Sequence, residues 1–139
     1  MINLLSSIYS KTSGSALSSD VGGRIYPDQY PQDLGPPVFP YVVFFIVSGV
    51  PEDCFAKDGE TVIVQFSLFS ASSGNVEIGT MYSDLKALFD DCSLTITSNN
   101  LVWCRRTNIV TMVDEITVQD ASQMVRHWAV DYEITMQEA

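Results

Sequence analysis

The sequence predicts an α+β domain: an antiparallel β-sheet with two helices packed on one face. Three observations lead there. A continuous apolar run, 41–47, follows a proline-rich lead-in and is succeeded by a second strand-like stretch at 60–70. A segment after it repeats its apolar residues at helical spacing. The last segment, 123–136, alternates apolar and polar residues as a strand with one buried face does.

Taken in order, Ile2, Leu4, Leu5, Ile8 and Tyr9 predict a short amphipathic helix over 2–10. The serine-rich stretch 10–19 reads as a loop, or as a further helical turn through Ala16 and Leu17, ended by Gly22-Gly23. All six prolines lie between Pro27 and Pro51. Proline fixes φ and pushes the residue before it toward extended geometry. Residues 27–40 are therefore a stiff loop, and Tyr26, Tyr30 and Phe39 give it aromatic mass to pack with. Loops of that length in compact domains are often functional or interfacial.

The first strand is expected at 41–48, apolar on both faces and so covered on both, with Gly49-Val50-Pro51 ending it. Lys57-Asp58-Gly59 signals a turn. The second strand, 60–70, places Val62, Val64, Phe66 and Leu68 on one face, and the two strands form an antiparallel pair. Ile78, Met81, Tyr82, Leu85, Leu88 and Phe89 predict a helix over about 75–91. Glu77 in its first turn suits the positive end of the helix dipole. Leu94-Thr95-Ile96 alternates briefly, Asn99-Asn100 reads as a turn, and 101–104 and 108–113 read as strand pieces. In the final strand Met124, Trp128, Val130, Tyr132, Ile134 and Met136 share a buried face. Val125, His127, Ala129, Asp131, Glu133 and Thr135 share an acidic one. Hairpins with segregated helices in a chain of this length imply one α+β domain over 1–139.

Composition points toward assembly. Apolar residues make up 46% of the chain and charged residues only 17%, against about 25% in a typical soluble domain. The net charge of −10 opposes binding to a polyanion by counterion release. Arg105-Arg106, the sole adjacent basic pair, reads as surface or interface ion pairing. An acidic surface would instead repel DNA, which is useful in a conduit. Cys54, Cys92 and Cys104 are too few and too widely spaced for a disulfide framework and suit a reducing cytosol. Cys92 and Cys104 read as small core residues. The first residues carry no signal-peptide pattern, and the longest apolar run is half of what a membrane helix needs.

Catalytic chemistry is not indicated. The single histidine, His127, has Asp131 four residues along its own strand, beyond contact, and no nucleophile is specified nearby. It reads as a solvent or interface residue. No metal-ligand spacing and no phosphate-binding glycine loop occur. Asp90-Asp91 reads as a solvated helix end, and Trp103 and Trp128 as core or interface residues rather than base-stacking platforms. The expectation is no catalytic residue, no cofactor and no metal.

The arrangement as a whole resembles a known family. Gly23-Arg24-Ile25-Tyr26-Pro27, a variable loop and Phe39-Pro40-Tyr41-Val42-Val43-Phe44 are followed by 64–70. Leu85-Lys86-Ala87-Leu88-Phe89 and the terminal 128–134 complete the series. Together, over residues 20–136, these are similar to the tail-completion, or tail terminator, proteins of long-tailed bacteriophages. The resemblance implies a non-enzymatic structural virion protein, made in the host cytoplasm, that assembles into a closed ring, usually a hexamer. Such a ring caps the tail tube, ends its polymerisation and joins it to the neck or head connector, with DNA passing through the lumen without specific binding. On this reading Asp131 and Glu133 set a negative lumen or ring face. Tyr30, Pro31, Leu34, Pro36 and Pro37 form an interface loop toward a neighbouring subunit or the tube. Two alternatives stand beside it: a head-completion, adaptor or tube-like neck protein, and, from another class, a small cytosolic ligand-binding domain or enzyme.

Overall fold

The computed structural model describes residues 2–53, 58–118 and 121–138. Helix α1 (Ile2–Thr12) and the single-turn α2 (Ala16–Asp20) lead to a short strand β1 (Ile25–Pro27). The proline loop follows, with a 3-10 turn at Gln32–Leu34. Strands β2 (Tyr41–Asp53) and β3 (Asp58–Ser70), helix α3 (Val76–Phe89), and strands β4 (Asn99–Val118) and β5 (Ala121–Glu138) complete the chain. The sheet order is β1-β2-β3-β5-β4. β5 is antiparallel to both β3 and β4, so β3, α3 and β4 form a split β-α-β unit with β5 inserted between its strands.

All three helices supply one core. Leu4 and Ile8 of α1, Leu17 of α2, and Ile78, Met81, Leu85 and Phe89 of α3 pack with Val42, Phe44, Val62, Val64, Phe66, Leu68, Val130, Tyr132 and Ile134 from one sheet face. Burying each such side chain fully contributes about 1.5–3 kcal/mol. Phe66 sits at the centre, with ring centroids 6.0 Å from Phe44, 4.7 Å from Phe89 and 5.6 Å from Tyr132. Among the described residues, no α-helix packs on the opposite face of the sheet.

Several expectations need correction. Among the described residues the α-helices number three, because Ser15 caps α2 by accepting from the Ser18 amide at 3.2 Å. Gly22 and Gly23 end that helix in a Schellman turn, their amides reaching Ser19 and Ser18 carbonyls. The sheet is mixed, since β1 runs parallel to β2. That pairing is pinned by the Arg24 side chain, which donates to the Pro40 and Phe39 carbonyls at 3.0 and 3.4 Å. β2 does not stop at Gly49. A bulge between Ile46 and Ser48 resets its register, and Pro51 is tolerated because β1 ends opposite Phe44 and leaves that edge open.

Asn99-Asn100 begins a strand instead of making a turn, and the two pieces expected at 101–104 and 108–113 are one strand. Bulges lie between Leu101 and Trp103 and between Arg106 and Asn108. They put Leu101, Cys104 and Ile109 on the core side at uneven spacing, which erases the period of two. Residues 94–96 form only an isolated bridge, Ile96 to Asn99. Met124, expected in the core, is 57% exposed, because β3 ends opposite Arg126 and β5 before that point pairs with β4 alone. Cys54 and Lys57, and so part of the expected turn, lie outside the described residues.

Candidate assembly surfaces

The face without helices is built in cross-strand rows. Tyr41, Phe69, His127 and Met112 form one row; Phe45, Gln65, Asp131 and Asn108 another; Ile63, Glu133 and Arg105 a third. Asp131 is half-buried and accepts from Gln65 Nε2 at 3.0 Å. Glu133 accepts from Arg105 Nε at 2.7 Å. Both acids project from the uncovered face and are held by neighbouring strands.

The proline loop meets this face through a line of rings. Tyr26 and Tyr30 lie 5.0 Å apart, Tyr30 and Tyr41 4.9 Å, Tyr41 and Phe69 4.6 Å, and Phe69 and His127 4.3 Å. Tyr30 also accepts from the Val38 amide at 3.2 Å. It is an anchor of the loop, whereas Leu34 and Pro36 are exposed and Pro31 and Pro37 half-buried. The expected acids and the expected loop thus occupy one continuous surface.

His127 is half-buried on the uncovered face. It is stacked on Phe69, its Nδ1 lies 3.6 Å from Oδ2 of Asp114, and its Nε2 is buried without a hydrogen-bond partner. Burial lowers its pKa, with Asp114 opposing the shift. Its carboxylate comes from β4 across the sheet, so the distance along β5 to Asp131 was not the relevant one. Asp90 is not merely a solvated helix end: it accepts from the Tyr132 hydroxyl at 2.6 Å and lies 3.4 Å from Arg106. Arg105 and Arg106 are ion-paired as expected. Trp103 is exposed, with the Arg105 guanidinium 4.9 Å from its ring centroid. Among the described residues no group of three or more His, Cys, Asp or Glu side chains is placed to hold a metal ion, and no helix is long and apolar enough to cross a membrane.

Two further surfaces lie at opposite edges of the sheet, and sequence reading missed both. Along β4 and the start of β5, Val102, Trp103, Val110, Val113 and Met124 are exposed. Their signal was the lack of clean alternation between Leu101 and Val113. At the β1 edge an open groove of about 580 Å³ is lined by Leu5, Tyr9, Ile25, Pro27, Asp28 and Phe44, among others.

Comparison with known proteins agrees with this architecture. One solved chain, from a structure described as the virion of a native gene transfer agent particle, is 16% identical with a TM-score of 0.72, covering 96% of this chain and 94% of that one. A second solved chain is 14% identical with a TM-score of 0.54 and the same coverage. At these identities the likeness is one of fold. No curated protein matches the sequence. The family model described as tail completion protein gp17 matches residues 9–137, nearly the whole of the described fold, and the chain therefore belongs to the tail completion protein gp17 family.

Proposed function

We propose that this structural tail protein of phage type is a tail terminator: a closed ring, hexameric by family resemblance, that caps the tail tube, ends its polymerisation and joins it to the neck, with DNA passing through the lumen. The single observation that carries the reading is the family match over residues 9–137. The fold shared with a chain of a gene transfer agent virion supports it, as does a net charge of −10, which favours passage of DNA over capture. In this reading Asp131 and Glu133 contribute to a negative lumen or ring face, and the 27–40 loop contacts a neighbouring copy or the tube. Partners are further copies, the tube protein and a neck protein; the site of action is the virion.

The test is negative-stain microscopy with light scattering on the purified chain, alone and with tail tubes. Closed rings at tube ends are expected. Particles assembled without the chain should carry tails of uncontrolled length that fail to join heads. Tails of normal length joined to heads in its absence would refute the terminator role. A head-completion or adaptor role predicts capture of portal-side proteins in place of tube protein in a pull-down.

A further inference from the structure

The end of α3 and the core side of β4 bring two thiols together. Cys92 follows the last turn of α3, and Cys104 is buried on β4. We propose that Cys92 and Cys104 form a redox latch: a dithiol in the reducing compartment where the chain is made, and a disulfide once the particle meets small-molecule disulfides outside it.

Three observations carry this. First, backbone contacts hold the two residues side by side. The Asp91 amide donates to the Cys104 carbonyl at 3.1 Å. The Phe89 carbonyl accepts from both the Cys92 amide at 3.3 Å and the Cys104 thiol at 3.4 Å. Both cysteines are free thiols, and their side chains lie within hydrogen-bonding reach of each other. Second, the pair is unequal in access. Cys104 is 2% exposed and Cys92 is half-buried, and both line one opening of about 420 Å³. A small oxidant therefore reaches Cys92 first. Third, the accessible sulfur is also the one that ionises first. The hydrogen bond from Cys104 lowers the Cys92 pKa against the effect of burial, and Lys11 adds to the shift. The same contact, then burial, pushes Cys104 far up. The thiolate is the nucleophile in exchange.

The steps balance as thiol–disulfide exchange. Cys92 Sγ attacks one sulfur of a small disulfide, whose S–S bond breaks, and one small thiol leaves with the proton that Cys92 gave up. Cys104 Sγ then attacks Cys92 Sγ, and the second small thiol leaves with the Cys104 proton. Two protein thiols lose two electrons and two protons, and the small disulfide gains them as two thiols. The new bond closes the loop 92–104 and makes the joint between α3 and β4 covalent, beside the contacts of Asp90 with Tyr132 and Arg106.

The test treats the folded, full-length wild-type chain with glutathione disulfide, alkylates the remaining thiols after denaturation, and maps them by mass spectrometry. Trypsin places Cys54 on the peptide 25–57 and both latch residues on 87–105, so the third cysteine does not confuse the reading. Peptide 87–105 should lose two hydrogens and take up no alkylating agent. The melting temperature should rise by about 5–10 °C on oxidation and return on treatment with dithiothreitol. Cys104→Ser should instead trap a lasting mixed disulfide of glutathione on Cys92 and show no such rise. Cys92→Ser should leave Cys104 unmodified. Thiols in 87–105 that stay alkylatable in the treated wild type would overturn the latch. So would a mixed disulfide that persists on wild-type Cys92, a bond between two chains in place of one within the peptide, or an internal bond with an unchanged melting temperature. Should either serine variant misfold, the wild-type measurements decide alone.

Discussion

The hydroxyl of Tyr132 donates to Oδ1 of Asp90 at 2.6 Å, tying a central strand of the sheet to the end of the helix packed on it. Burial and the neighbouring carboxylate push the Tyr132 pKa far up, so the phenol remains a donor across the physiological range. Tyr132→Phe keeps the ring against Phe66 and Phe89 and removes only the bond. A loss of about 1–2 kcal/mol is expected, the lower part of the range for bonds to charged groups because Asp90 is partly exposed. Urea unfolding measures it. Asp90→Ala should cost a similar amount, and the double variant less than the sum, because both belong to one network with Arg106.

Asp20 on α2 makes stability depend on pH. Burial, then the adjacent Asp84 carboxyl, raises its pKa from 3.8 to about 6, and one of its oxygens is buried without a partner. With the folded pKa above the unfolded one, the unfolded chain gives up this proton first as pH rises. The contribution is fully present below about pH 4 and is lost as pH rises through about 6. Asp20→Asn should therefore raise the melting temperature at pH 7.5 and leave it nearly unchanged at pH 4. An equal shift at both values would show that the carboxyl pair is not the cause.

Gly22 closes α2 with φ at +59°, and a Cβ there would come within 3.0 Å of the Arg24 guanidinium. That guanidinium is the group that holds the Phe39 and Pro40 carbonyls. Gly22→Ala should cost about 1–2 kcal/mol in left-handed strain and disturb the lead-in to β2 as well. Thermal melts report the first effect. The second appears as faster proteolysis within 27–40, which a purely local strain would not cause.

The parts of the fold that sequence reading recovered are those with an unbroken period. Val62, Val64, Phe66 and Leu68 alternate without interruption, and all four are buried. Ile78, Met81, Leu85 and Phe89 hold helical spacing and are buried likewise. Where a bulge inserts a residue, as beside Trp103 and Thr107, side chains change face and the pattern dissolves. One long strand then reads as fragments, and the exposed β4 edge is hidden inside them. The contact of His127 with Asp114 was hidden for another reason: cross-strand neighbours depend on register, which no local period encodes. Asp131 and Glu133 were placed on the correct side of β5 because that strand alternates without a break, but their partners Gln65 and Arg105 come from other strands.

Those partners sharpen the test of a negative lumen. Asp131→Lys with Glu133→Lys reverses both charges and also breaks the contacts with Gln65 and Arg105. The exposed Arg105–Glu133 pair contributes about 0–1 kcal/mol and the part-buried Gln65–Asp131 hydrogen bond about 1.5–3 kcal/mol, so a folded protein with a lower melting temperature is expected. If these acids face the lumen, DNA should be retained in the reversed particle and its ejection slowed. The control is the swap Arg105→Glu with Glu133→Arg, which preserves the ion pair and the net charge of that row. It should eject DNA as the wild type does. Slow ejection in the swap would trace the defect to altered packing rather than to charge, and normal ejection in the double reversal would remove Asp131 and Glu133 from the lumen.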